Sequence, residues 1–158
     1  KGLGAPVGSL LCGTREHIDL ARSHRARFGG QMRQAGVIAA AGVVALETMV
    51  ERLADDHARA RRLAHVIADA FPDSLDPATV QTNIVCARAS AFPRDVLDVL
   101  AAEGVLAGTV DSDTVRFVTH KDVDDAGLDH AITVLQRIAR SFDRGIDGGI
   151  GRGTTRST

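Results

Sequence analysis

Three cationic side chains stand where they could do chemistry. Lys1 opens the run KGLGAPVGS, in which glycines let the backbone come close to a ligand. Desolvation in a pocket lowers a lysine pKa and frees the amine to attack a carbonyl; taken alone the signal is weak, and an ordinary exposed lysine is the favoured reading of Lys1. Arg33 lies in GGQMRQAG, at an expected helix start. Helix N-termini favour anions, and a guanidinium adds a bidentate fork for phosphate or carboxylate. The alternative there is a surface arginine. Arg116 lies in TVRFVTH. On a strand Val115 and Phe117 share one face, and Arg116 and Val118 the other. An arginine in so apolar a strand needs an anion or water, so it is either a carboxylate clamp or an edge-strand residue facing solvent. His120 follows that strand, as a loop or capping histidine or a candidate proton acceptor.

Other chemistries fit less well. Asp55, Asp56, His57 and His65 fall on one charged helical stretch without a His pair at i, i+4, so no metal site is expected. Ser9 lacks the GxSxG context of a serine nucleophile. Cys12 and Cys86 are far apart, and no CxxC exists to make a zinc or thioredoxin-like site. Each is expected to be a small buried apolar residue, and no disulfide is expected in what reads as a cytoplasmic chain.

The 158 residues carry 19 basic and 20 acidic side chains for a net charge of −1, and 44% of them are apolar. That balance argues against nucleic acid or an anionic membrane as partner. With 3% aromatics and neither Trp nor Tyr, a base-stacking platform is improbable. The longest apolar stretch, AGVIAAAGVVAL from Ala35 to Leu46, is shorter than the ~20 residues that span a bilayer.

The elements that must position these residues follow from periodicity. Gly8 to Gly13, GSLLCG, suits a buried strand. Thr14 caps a helix running to about Phe28 and stopped by Gly29-Gly30. From Gln31 or Met32 a helical pattern runs through Val37, Ile38, Ala41, Ala45, Met49 and Leu53 to Phe71-Pro72. Its early part is apolar nearly all round and is expected to be buried on several sides. From Glu47, ERLADDHARARR carries a charged outer face. The run is two helices or one bent helix, with Gly36 and Gly42 as bend points. Beyond Pro72 come a loop over 73–77, a strand over 82–87 and a helix from Phe92-Pro93 to Glu103-Gly104. A short strand over 105–107, a turn over 111–113, an alternating strand over 114–119 and an amphipathic helix over 122–142 complete the pattern. The β-α-β-β-α order predicts a small α+β domain of antiparallel strands with helices on one face. The tail GIDGGIGRGTTRST has no periodicity and is expected to be disordered.

KGLGAPVGS, GGQMRQAGVIAAAGVVALE and TVRFVTHKDV, in that order, resemble the C-terminal part of the low-specificity L-threonine aldolases. These belong to the β-eliminating lyase branch of the fold type I pyridoxal phosphate enzymes. The resemblance covers roughly residues 1–140. It implies an α/β fold in which residues 1–71 are the end of a large cofactor domain with connecting helices. Residues 72–142 are then a small α+β domain and 143–158 a disordered tail. It implies that Lys1 forms the Schiff base with pyridoxal 5'-phosphate, that Arg33 lies near the cofactor phosphate, contributed across a subunit interface, and that Arg116 binds the substrate carboxylate. The implied reaction is cleavage of L-threonine or a related β-hydroxy-α-amino acid to glycine and an aldehyde, by a cytoplasmic homodimer or homotetramer. Two departures touch the phosphate side. Gly29-Gly30-Gln31 stands where a triple glycine is common. Ala26 stands where a lysine often follows Arg25, with Arg27 one step on and so rotated by ~100°. Because Lys1 begins the chain in mid-pattern, the expectation is a C-terminal portion of a longer enzyme. The alternatives are β-elimination or transamination on the same fold, or a non-catalytic dimerisation unit.

Overall fold

The computed structural model describes residues 2–147. The chain divides into two compact units, Lys1–Leu53 and Ala54–Thr158.

The first unit carries helices α1 (Arg15–Arg27) and α2 (Gly36–Thr48). α1 begins as expected: Thr14 is extended and its hydroxyl accepts from the His17 amide at 3.4 Å. Glu16 lies in the first turn, and His24, Arg25 and Arg27 in the last, which complements the helix dipole at both ends. Gly29 at φ +72° takes the left-handed conformation that ends a helix. α2 starts later than Gln31 or Met32 because Gln34 sits at φ +50°, outside the right-handed helical region. The long helical pattern resolves into two helices, since α2 ends at Thr48 and α3 (Leu53–Ala70) follows. The break falls at residues 49–52 and not at Gly36 or Gly42, which both lie within α2.

Three expectations are corrected in this unit. Residues 8–13 form no strand, and Leu10 is 79% exposed. A strand exists through a neighbour's hydrogen-bonded ladder, and no described segment pairs with this one. α2 is apolar, yet Ala45 is its one buried residue and Val37 is 83% exposed. An apolar helix is buried by what packs on it, and the described residues of this unit cover little of it. Cys12, in the same extended segment, is free and exposed.

The second unit follows the expected β-α-β-β-α order after α3. Its elements are β1 (Ile84–Arg88), α4 (Val96–Ala102), β2 (Gly108–Asp111), β3 (Thr114–Val118) and α5 (Asp125–Asp147). The antiparallel sheet has the order β1-β3-β2, with β3 central. Val85, Ala87, Val115 and Phe117 face a core shared with Ala60, Leu63, Ile67, Phe71, Leu100 and Leu135. The residues between them, Ile84, Cys86, Arg116 and Val118, lie on the opposite, exposed face. This is the one-sided burial expected of an antiparallel sheet. Cys86 is therefore exposed rather than buried. The compact division puts α3 with the sheet, because Ala60, Leu63, Ala64 and Ile67 pack into this core.

The strand expected at 105–107 lies instead at Gly108–Asp111. Gly104 at φ +77° ends α4, and the Val105 amide turns back to the Leu100 carbonyl at 2.9 Å. Residue 105 thus belongs to a helix-end motif. α5 runs past Phe142 to Asp147, and the rest of the tail lies outside the described residues.

Ion pairs tie α5 to its neighbours. Arg59 reaches Asp125 at 2.8 Å, and Arg62 reaches Asp129 at 2.6 Å. Arg137 reaches Glu103 at 2.6 Å, while His130 Nε2 lies 2.8 Å from the Glu103 carbonyl oxygen. The hydrogen bond from Arg137, and then its charge, hold the Glu103 carboxyl below its ordinary value. A lowered folded-state pKa stabilises above the unfolded value and is lost as pH falls through the folded one. The urea midpoint of the chain is therefore expected to fall on acidification below about pH 4.5. In Glu103→Gln that part of the fall is missing, a small difference for so exposed a pair. Identical pH profiles for the two proteins would refute the assignment.

Candidate cofactor and substrate site

Lys1 lies outside the described residues. The segment that follows it runs along α2 and leaves an open apolar groove of about 600 Å³, lined by Leu3, Val7, Ile38, Gly42, Leu46 and Leu53. Arg33 is exposed in the turn that leads into α2. Ala35, at the helix cap, makes no side-chain capping bond, and no acidic residue occupies the first turn. The first amides of α2 thus lack an internal side-chain acceptor, which with a neighbouring guanidinium is chemistry suited to an anion.

Arg116 sits at the middle of the central strand, not on an edge strand, and its side chain is exposed on the open face of the sheet. Its register partners are Cys86 on β1 and Gly108 on β2, neither of them acidic. A side chain at Gly108 would meet nothing within 4 Å. The guanidinium therefore has no carboxylate opposite it in register and has open space on one flank. That arrangement fits a carboxylate-bearing ligand of modest size.

His120 follows the strand and is half-exposed. Its Nδ1 accepts from the Asp122 amide at 3.3 Å and lies 3.6 Å from Asp122 Oδ2. With Nδ1 accepting, the neutral ring carries its hydrogen on Nε2. Lys121 pairs with the same Asp122. Among the described residues no group of three His, Cys, Asp or Glu side chains could hold a metal ion.

A buried polar node, not expected from the sequence, lies just past the end of β3, on the face opposite Arg116. Thr119 is 3% exposed. Its hydroxyl donates to the Asp56 carbonyl at 2.7 Å, and its amide donates to the Asn83 carbonyl at 3.0 Å. Asn83 Nδ2 returns a bond to the Thr119 carbonyl at 2.6 Å. Asp56, read as part of a charged outer face, is 1% exposed. Its spacing carried the signal: residues 56, 60, 63, 64 and 67 share one helical face.

Comparison with known proteins adds to this geometry. The family model described as "Beta-eliminating lyase" matches residues 1–90. The chain is 34% identical over 145 residues to "Probable low-specificity L-threonine aldolase 2" of Arabidopsis thaliana, an alignment covering 89% of this chain and 41% of that protein. It is 41% identical over 124 residues to "Low specificity L-threonine aldolase" of Escherichia coli (strain K12), covering 78% of this chain and 36% of that protein. A second Arabidopsis thaliana protein, "Low-specificity L-threonine aldolase 1", is 31% identical over 141 residues, covering 87% and 39%. The chain thus spans about two-fifths of the length of these relatives.

Proposed function

The chain belongs to the beta-eliminating lyase family, and from that premise we propose that it is part of a pyridoxal phosphate-dependent carbon–carbon lyase. The reaction is cleavage of L-threonine or a related β-hydroxy-α-amino acid to glycine and an aldehyde. The names of its relatives support this reading. The observation that carries it is Arg116, a guanidinium on a rigid central strand with no acidic partner in register and open space beside it. In this reading the residues before α3 end the cofactor domain, α3 is the connecting helix that packs on the sheet of the small domain, and the enzyme works as a homodimer or homotetramer in the cytoplasm.

When bound, pyridoxal phosphate supplies the electron sink for the pair released as the Cα–Cβ bond breaks. The Lys1 amine would hold its aldehyde carbon, and Arg33 at the uncapped start of α2 would take its phosphate. Arg116 would grip the substrate carboxylate through two parallel N–H···O bonds, which orients the bond to be cleaved. A base must take the β-hydroxyl proton; with Nδ1 accepting from the Asp122 amide, neutral His120 offers an N–H and not a lone pair at Nε2, so the base is sought outside this chain's described residues.

The test is release of acetaldehyde and glycine from L-threonine by the full-length protein, with and without added cofactor. Pyruvate and ammonia from serine would point to β-elimination, and a keto acid with transfer of the amine to transamination. Arg116→Ala is expected to raise KM by about 100-fold with a smaller change in kcat, from the loss of a charge-assisted pair. Arg116→Lys should recover little, since an ammonium cannot reproduce the fork. An unchanged KM in Arg116→Ala would refute the role.

The exposed apolar surface of α2 favours a second reading for the chain on its own, a folding or dimerisation unit without activity. Turnover by the isolated chain on addition of cofactor would exclude it.

A further inference from the structure

We infer that Thr119 is a positioning residue for Arg116, acting through the buried node it forms with Asn83 and the Asp56 carbonyl; this rests on the reading of Arg116 as the carboxylate-binding group. β3 ends at Val118, and Thr119 follows three residues after Arg116. Each polar group of Thr119 is bonded. Its amide and carbonyl close a two-way link with Asn83 at the end of β1, and its hydroxyl reaches α3 at 2.7 Å. The same hydroxyl lies 3.4 Å from the Asn83 carbonyl oxygen. Buried polar groups are tolerated when they are satisfied in this way, and such sites then accept one geometry only.

The hydrophobic pattern does not define that geometry alone. Val115 and Phe117 forbid a one-residue slip of β3 against β1, because it would turn them out of the core. A two-residue slip keeps their parity. It would carry Arg116 ~6.8 Å along the sheet at ~3.4 Å per residue. The node discriminates against that slip, since it would leave the buried Thr119 hydroxyl without its partner and break the bond from the part-buried Asn83 amide. It also anchors β3 to α3, so the strand end cannot shift by smaller amounts. The hydroxyl thereby sets where the guanidinium stands without touching the substrate.

Steady-state kinetics and amide exchange on the full-length holoenzyme test this. Thr119→Val keeps the shape and removes the hydroxyl. It is expected to raise KM for L-threonine roughly fivefold to tenfold while kcat per folded active site stays within about twofold. Exchange of the Thr119 amide should accelerate by about tenfold in the same variant. Thr119→Ser, which keeps the hydroxyl, should restore both. An unchanged KM in Thr119→Val beside a raised KM in Arg116→Ala would overturn the proposal. So would a loss confined to kcat, or a failure of serine to restore. If the wild-type protein releases no aldehyde, it is the enzymatic reading that fails, and amide exchange still decides: equal protection in wild type and Thr119→Val overturns the node's positioning role.

Discussion

Lys1→Ala is expected to abolish cofactor retention and aldehyde release together in the full-length protein. The amine of Lys1 is the group proposed to bond covalently with pyridoxal phosphate, and alanine offers no nitrogen in its place. A turnover loss of at least about a thousandfold is expected from removal of a covalent anchor that also orients the cofactor. Lys1→Arg should fail as well, because a guanidinium stays protonated and does not add to a carbonyl. Two measurements check this. The visible absorbance of bound cofactor should vanish after gel filtration of the variant. Borohydride treatment of the wild type should leave a mass adduct on the Lys1 side chain. Retained absorbance with retained turnover in Lys1→Ala would remove Lys1 from the chemistry. Cofactor held on Arg33 alone would show as binding without a trapped adduct.

Phe71→Ala is expected to be the most damaging single change to the second unit. Phe71 follows directly after α3 with 2% exposure. Its ring lies 4.5 Å from that of Phe92, which stands 6.4 Å from Phe117 on the central strand. Three of the five phenylalanines thus run in contact from helix to sheet. Truncation removes the first ring and leaves a cavity that two rigid neighbours cannot fill, at a cost of about 3–5 kcal/mol. Against the ~5–15 kcal/mol by which domains are stable, that is a large share. Phe71→Leu should cost less, since it keeps more of the volume. Urea denaturation followed by circular dichroism measures both, and a loss under about 1 kcal/mol in Phe71→Ala would mean that the rings do not form a cooperative core.

Where neighbours in the chain decide the structure, the sequence was readable. Thr14 and Gly29-Gly30 bound α1 through local capping chemistry, and Val115 and Phe117 marked the buried side of β3 by alternation alone. Arg116 was legible as an outward-facing cation for the same reason. Contacts distant in the chain were not. Asp56 looked like one more charge on a polar helix, and only the meeting of α3 with Thr119 shows it buried. Residues 105–107 have strand-like side chains, yet the backbone of Gly104 commits Val105 to closing α4. The run at 8–13 and helix α2 have core-like composition without a core around them. Hydrophobicity reports a demand for cover, and periodicity cannot say what supplies it. Cys86 illustrates the converse: its residue type suggested burial, but its parity in β1 put it on the open face with Arg116.

The bare surface of α2 also changes what stability means for the first unit. Anything that binds the helical form and not the unfolded chain shifts the folding equilibrium by mass action. The melting behaviour of residues 2–53 should then depend on how concentrated the sample is and what else is in solution, while the second unit, with its own closed core, should melt at one temperature throughout. A dilution series followed by calorimetry would separate the two as one transition that moves and one that stays.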